Sequence, residues 1–322
     1  MTAMAWTRDQ VLHISGRPVR VRVQGEGSPV LLINGLGANL SMWDPLVEEL
    51  AGFQVITFDS PGTGGSAAPY LPYPLSRIAD LAVQVLDELG HEQVDVLGYS
   101  LGGGVAQELA NGHPDRVRRL VLVSTSCGTG AVPGALRALM AVTTPARHYL
   151  KSGYRVAMKM VTLAPAEQAS AQLRQRSGNW HHETPPSLRG YMLQMTAFAR
   201  FGSLPWLHGI TQPTLVVSGT HDRLVPLANS ALLAAHLPNA RLHIADQWGH
   251  YLLQDASSGA PAAIADFLSA ESATWSATWQ GAAEVGEAEL AQFLAEAPKS
   301  AHPARLVNRV VRKRYSTRRP GE

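Results

Sequence analysis

The chain has 322 residues, of which 45% are apolar and 16% charged. That composition excludes a disordered chain and supplies enough apolar material for one large core. The formal net charge of +2 hides an asymmetry: residues 299–322 hold eight basic residues and one acid, against nineteen basic and twenty-four acidic residues before them.

The first elements expected are strands at 11–15 and 18–24, joined at Gly16-Arg17. Alternation through Val19-Arg20-Val21-Arg22-Val23 gives one buried and one wet face, as in an antiparallel pair. Short continuous apolar runs follow at 30–33, 55–58, 94–97, 120–123 and 215–217. Helical patterns at 42–50, 76–89 and 101–112 lie between most of them. Apolar strands alternating with helices predict an α/β fold with a mostly parallel central sheet, antiparallel N-terminal strands and helices on both faces. Two more strand–helix units are expected after residue 214, with a strand at 242–245 and helices at 225–237 and 260–268.

One interval breaks the rhythm. Residues 128–211 read as several helices separated by prolines, inserted into a core formed by 1–127 and 212–270. This insertion holds Met140, Met158, Met160, Met192 and Met195, with Tyr149, Tyr154, Trp180, Tyr191, Phe198, Phe201 and Trp206. Ordinary helix–helix packing explains such residues as well as a cap that shapes an apolar pocket does. Residues 271–322 are expected as a C-terminal extension. It contains the repeat Ser272-Ala-Thr-Trp275, Ser276-Ala-Thr-Trp279, an acidic amphipathic stretch at 284–296 and the basic tail.

The chemistry concentrates at Gly98-Tyr99-Ser100-Leu101-Gly102, which follows an apolar strand and opens a helix. A G-x-S-x-G in that context is a nucleophile elbow, with Ser100 on a tight turn and glycines where side chains would clash. A serine hydroxyl needs a base at neutral pH. His250, on the loop after the last predicted strand, is the candidate, whereas His243 lies inside that strand. The orienting carboxylate is assigned to Asp222, just after the strand at 215–217, with Asp246 as the rival. The order Ser100, Asp222, His250 is that of an α/β-hydrolase. The backbone N–H groups of Leu36 and Leu101 are the candidate oxyanion donors.

These residues carry a resemblance. From about residue 25 to 268 the chain is similar to the α/β-hydrolases, and more narrowly resembles intracellular depolymerases of medium-chain-length polyhydroxyalkanoates. The stretches that carry the narrower likeness are Ile33-Asn34-Gly35-Leu36-Gly37-Ala38-Asn39-Leu40, Phe58-Asp59-Ser60-Pro61-Gly62-Thr63-Gly64-Gly65-Ser66, Gln212-Pro213-Thr214-Leu215-Val216 and Leu237-Pro238-Asn239-Ala240-Arg241-Leu242-His243-Ile244. Asn34-Gly35 stands where many α/β-hydrolases carry His-Gly. The resemblance implies a serine ester hydrolase acting through Ser100, Asp222 and His250. Its substrate would be a medium-chain 3-hydroxyalkanoate polyester or its oligomers, and no cofactor or metal would be needed. The alternatives are a carboxylesterase or thioesterase on monomeric acyl esters, and a non-catalytic granule-surface protein. Tyr99 departs from the family pattern, in which a smaller residue is expected.

The remaining signals are weaker. Gly35-Leu36-Gly37 lacks the third glycine of a dinucleotide fingerprint. His181-His182-Glu183 has no further ligand at metal spacing. In the tail, Leu306, Val307, Val310 and Val311 share one side of a helix and Arg305, Arg309 and Arg312 another. A basic amphipathic segment suits a polyester granule or an anionic surface, and a solubilising tail is the plainer reading. Its charge alone would suit nucleic acid, but Tyr315 is its one stacking residue, so nucleic acid is not assigned. Cys127 is the single cysteine, and residues 1–10 lack a charged segment followed by an apolar run. Both fit a cytoplasmic, granule-associated protein.

Overall fold

The computed structural model describes residues 7–297 other than 151, 152, 154, 155, 158–160, 162, 163, 171, 172 and 174–183. Tyr154, Met158, Met160, Trp180, His181-His182-Glu183 and the basic tail lie outside the described residues.

The eight strands are β1 (Thr7–Ile14), β2 (Arg17–Gln24), β3 (Ser28–Ile33), β4 (Phe53–Phe58), β5 (Val94–Tyr99), β6 (Val117–Val123), β7 (Thr214–Gly219) and β8 (Ala240–Ala245). They form one sheet in the order β1-β2-β4-β3-β5-β6-β7-β8. β1 and β2 pair antiparallel, and β2 runs antiparallel to β4. All later pairings are parallel. The turn between β1 and β2 is Ser15-Gly16, both with positive φ, one residue earlier than the sequence pattern placed it. Positive φ at both positions matches the twist of a two-residue hairpin.

The apolar runs are buried on both faces because successive side chains point to opposite sides. Leu31, Ile33, Val96, Leu120, Leu122 and Val216 enter one core with helices Ser76–Glu88, Leu101–Gly112 and Leu227–His236. Val30, Leu32, Leu97, Val121, Val123, Leu215 and Val217 enter the other with helix Ala260–Ser269. The expected helix at 42–50 is instead a 3-10 turn, Leu40–Trp43, and a single turn, Asp44–Val47. Pro45 sits in the first turn of the latter, where its missing N–H costs nothing.

The insertion between β6 and β7 closes at its neck. Gly128 and Gly202 form an antiparallel bridge, and Ser203 N–H donates to the Cys127 carbonyl at 2.9 Å. Residues around the neck behave as core: Phe201, Leu207 and Ile210 are buried, and Phe198 and Trp206 pack against that core. Within the insertion Met140 and Met192 are exposed. Tyr191 is fully buried.

Residues 271–297, expected as an extension, pack on the same core. Ala273, Trp279 and Ala282 are buried with helix Ala260–Ser269. Leu242 and Ala283 exchange two backbone hydrogen bonds of 2.9 Å. Helix Glu287–Glu296 lies on helix Leu227–His236 and buries Leu290.

Candidate active site

In a parallel sheet the loops at the carboxyl ends of neighbouring strands share one edge, and α/β proteins place their sites there. Four such loops meet in this chain. Ser100 follows β5, Asp222 follows β7, His250 follows β8, and the segment 34–39 follows β3.

Ser100 has φ 53° and ψ −118°, a conformation L-residues rarely adopt. Its surroundings hold it there. Ser100 N–H donates to the Val123 carbonyl at 2.9 Å, and its own carbonyl accepts from Thr125 Oγ1 at 2.6 Å and from Gly103 N–H at 2.9 Å. The flanking glycines are sterically required. A Cβ on Gly98 would lie 2.3 Å from the Gly102 carbonyl oxygen, and one on Gly102 would lie 2.0 Å from that of Ile33. The turn therefore fits tightly against both its own helix and β3.

His250 Nε2 lies 3.2 Å from Ser100 Oγ, and His250 Nδ1 lies 2.8 Å from Asp222 Oδ2. The second Asp222 oxygen accepts from the N–H groups of Leu224 at 2.9 Å and Val225 at 2.8 Å. The Asp222 carboxylate accepts a hydrogen bond from Nδ1–H, which leaves the Nε2 lone pair facing the Ser100 hydroxyl. Asp246 is exposed and accepts from Thr220 Oγ1 at 3.1 Å. His243 sits within β8, where burial lowers its pKa. The structure thus brings Ser100, Asp222 and His250 together and leaves both rivals apart.

The loop after β3 lies beside the elbow: a Cβ on Gly35 would be 3.6 Å from that of Ser100. Gly35, the neighbour of Leu36, and Leu101, the first residue of helix Leu101–Gly112, thus both adjoin Ser100. Asn34 is buried and braces this loop three ways. Its Nδ2 donates to the carbonyls of Ala38 at 3.3 Å and Phe58 at 3.2 Å, and its Oδ1 accepts from Trp43 Nε1 at 2.5 Å. Asp59 ties the neighbouring loop to it by accepting from Leu40 N–H at 2.8 Å and Gly65 N–H at 2.9 Å. Burial is the largest influence on Asp59 and raises its pKa.

A family model for the alpha/beta hydrolase fold matches residues 28–256. The chain belongs to the α/β-hydrolase family. It is 38% identical over 248 residues to a poly(3-hydroxyalkanoate) depolymerase from Ectopseudomonas oleovorans, covering 76% of this chain and 85% of that one. It is 32% identical over 247 residues to a 2-hydroxymuconate semialdehyde hydrolase from Pseudomonas putida, covering 74% and 85%. Among solved structures, the enol-lactonase from Burkholderia xenovorans LB400 superposes with a TM-score of 0.69 at 26% identity, covering 81% of this chain and all of that one.

In this α/β-hydrolase the insertion also reaches the site, through residues the sequence did not single out. Gln194, on helix Leu188–Ala199, accepts from Gly37 N–H at 3.0 Å and donates to the Pro61 carbonyl at 3.2 Å. Glu167, on the short helix Pro165–Ala169, accepts from Tyr251 N–H at 2.7 Å. Burial pushes its carboxyl up to about 7; the Tyr251 N–H lowers it, the Asp222 charge raises it, and His250 and Gly249 N–H lower it. Tyr99 donates its hydroxyl to the His250 carbonyl at 2.8 Å. Neither Glu167 nor Gln194 carries a sequence signal, whereas Tyr99 is marked by its bulk within the elbow.

Among the described residues, no group of three or more His, Cys, Asp and Glu could hold a metal ion. No helix among them is long and apolar enough to cross a membrane.

Proposed function

We propose that this α/β-hydrolase cleaves esters through Ser100, His250 and Asp222, and that its substrate is a medium-chain 3-hydroxyalkanoate polyester or its oligomers. The observation that carries the chemistry is the hydrogen-bonded line from Ser100 Oγ through the imidazole to Asp222. Ser100 Oγ attacks the ester carbonyl carbon while its proton passes to His250 Nε2. Leu36 and Leu101 N–H groups receive the oxyanion. The imidazolium then gives its proton to the departing alcohol, leaving an acyl-enzyme on Ser100. Water, deprotonated by His250, releases the acid and restores the serine. Asp222 fixes the tautomer and supports the imidazolium.

The polyester assignment is supported by the 38% identity to the poly(3-hydroxyalkanoate) depolymerase, which extends over 85% of that enzyme. The likeness to the semialdehyde hydrolase and the enol-lactonase favours a second reading, a hydrolase of monomeric substrates. A substrate panel spanning p-nitrophenyl acyl esters, oligomers and a polyester suspension separates the two. Activity confined to small esters removes the depolymerase reading. Ser100→Ala should lower turnover about 10⁴–10⁶-fold. A variant hydrolysing p-nitrophenyl esters near the wild-type rate removes the Ser100 assignment. Residues 299–322 are proposed as the granule contact, so their deletion should weaken retention on polyester while sparing soluble-ester hydrolysis.

A further inference from the structure

Two of the hydrogen bonds described above meet on one peptide group. Tyr99 donates to the carbonyl of His250, and Glu167 accepts from the N–H of Tyr251. These are the two polar ends of the peptide bond that follows His250. One holder stands on the elbow, immediately before Ser100. The other stands on the insertion. We infer that Tyr99 and Glu167 are positioning residues that clamp this peptide bond, so that the elbow and the cap together set the orientation of His250 toward Ser100. The inference rests on the Ser100–His250 reading.

The packing supports a clamp made of rigid parts. Tyr99 is buried, with its ring edge-on to Trp43 at 6.4 Å and tilted against the His250 ring at 5.1 Å. Trp43 is in turn fixed to Asn34. The same tyrosine thus touches the oxyanion loop's brace and the candidate base. Gly35 is small because of it: a Cβ there would sit 3.0 Å from the Tyr99 ring. On the other side Glu167 is buried, with its second oxygen facing Gly249. A Cβ on Gly249 would lie 2.7 Å from that oxygen, so glycine is needed for the carboxyl to approach. The Glu167 helix is anchored at its far end by Ser170, whose hydroxyl bonds to Asp255 on the chain beyond His250. The cap therefore grips the His250 segment at two points.

The position of Glu167 also makes it electrostatically visible. The titratable groups acting on it are Asp222, on the loop after β7, and His250 itself. Asp255 is engaged by Ser170 at the end of the same short helix. An ionised Glu167 stabilises an imidazolium at His250, while a neutral one does not. A group that only filled space would lack this influence.

The test uses kcat, KM and pH profiles for a soluble acyl ester, with folding followed by thermal melts. Tyr99→Phe and Glu167→Ala should each lower kcat about 10- to 100-fold with little change in KM, because a misplaced base weakens the chemical step and not binding. The double variant should lose about as much as either one, since both act on one peptide. Glu167→Gln keeps an oxygen for Tyr251 N–H, so it should restore most of kcat. It also removes the Glu167 ionisation near pH 7, so the step which that group adds to the kcat profile should vanish. A folded Tyr99→Phe or Glu167→Ala with wild-type kcat overturns the clamp. So does a Glu167→Gln as impaired as Glu167→Ala. Tyr99→Phe removes a single oxygen and keeps the test decisive if Glu167→Ala fails to fold. Fluorophosphonate labelling separates the two readings. An unlabelled wild type overturns the Ser100 assignment, whereas a labelled, active wild type with unaffected variants overturns only the clamp.

Discussion

The Trp279 ring lies flat on the Phe267 ring, centroids 5.5 Å apart and planes 13° apart, with the Arg241 guanidinium 5.8 Å from the indole centre. Trp279 is 6% exposed, while Trp275, four residues earlier in an identical Ser-Ala-Thr-Trp unit, is 66% exposed. The difference begins at the serines. Ser276 caps its helix by accepting from Trp279 N–H at 3.1 Å, and donates to Asp266 at 2.5 Å. Ser272 instead meets Thr274 at 3.0 Å. Trp279→Ala should therefore cost about 3–5 kcal/mol of stability, the usual loss for a large buried aromatic. Trp275→Ala should stay within about 0.5 kcal/mol of wild type. Denaturant melts of both variants check the pair, and equal effects would contradict this packing.

The two acids near His250 give a second contrast. Asp222 bonds to the imidazole, and Asp246 bonds to Thr220 at the surface. Asp222→Asn should lower kcat about 10⁴-fold by presenting the wrong hydrogen-bonding partner to Nδ1. Asp246→Asn should leave kcat within about twofold, since its carboxylate is exposed and bonds to Thr220 rather than to His250. Steady-state rates on a p-nitrophenyl ester decide the matter, and a large loss in Asp246→Asn would reassign the carboxylate.

Much of this was legible because it is local. A continuous apolar run such as Val-Leu-Leu-Ile before Asn34 has one stable use, a strand covered on both faces, and β3 is that strand. Gly98-Tyr99-Ser100-Leu101-Gly102 states its own geometry, since the glycines answer to a close approach of backbone. What escaped the pattern is long-range. Glu167 meets Tyr251 across 84 residues and Gln194 meets Gly37 across 157. No periodicity in the insertion marks either one as different from a solvated helix residue. The packing of 273–282 was equally hidden, because the two repeat units differ in what they touch and not in their letters.

The Glu167 carboxyl carries a pH dependence of its own. Its usual value of 4.5 rises to about 7 in the fold, burial being the largest cause. Below the usual value both folded and unfolded chains are protonated and the group contributes nothing. Between the two values the unfolded chain releases its proton and the folded chain keeps it. Stability therefore falls as pH rises through this window, by about 3 kcal/mol in all for a shift of this size. Glu167→Gln does not titrate. Its stability relative to wild type should therefore improve steadily from about pH 5 to about pH 8. Parallel urea titrations across that range measure the difference, and a constant offset would show that the carboxyl does not hold its proton.

Gln194 joins the insertion to two loops, bonding to Gly37 N–H after β3 and to the Pro61 carbonyl after β4. It is fully buried, so no water replaces a lost partner without rearrangement. Gln194→Leu removes both contacts at nearly constant volume. Each stranded backbone group should cost about 1–3 kcal/mol. The loop that carries Leu36 should also loosen, and kcat should fall about 10-fold or more, short of the 10²–10³-fold seen when an oxyanion donor is lost outright. Met192, exposed on the same helix, provides the comparison: Met192→Ala should shift stability by no more than about 0.5 kcal/mol. Thermal melts and kcat on a short acyl ester measure both. A folded Gln194→Leu that turns over at the wild-type rate would mean that the loop after β3 keeps its shape without the insertion.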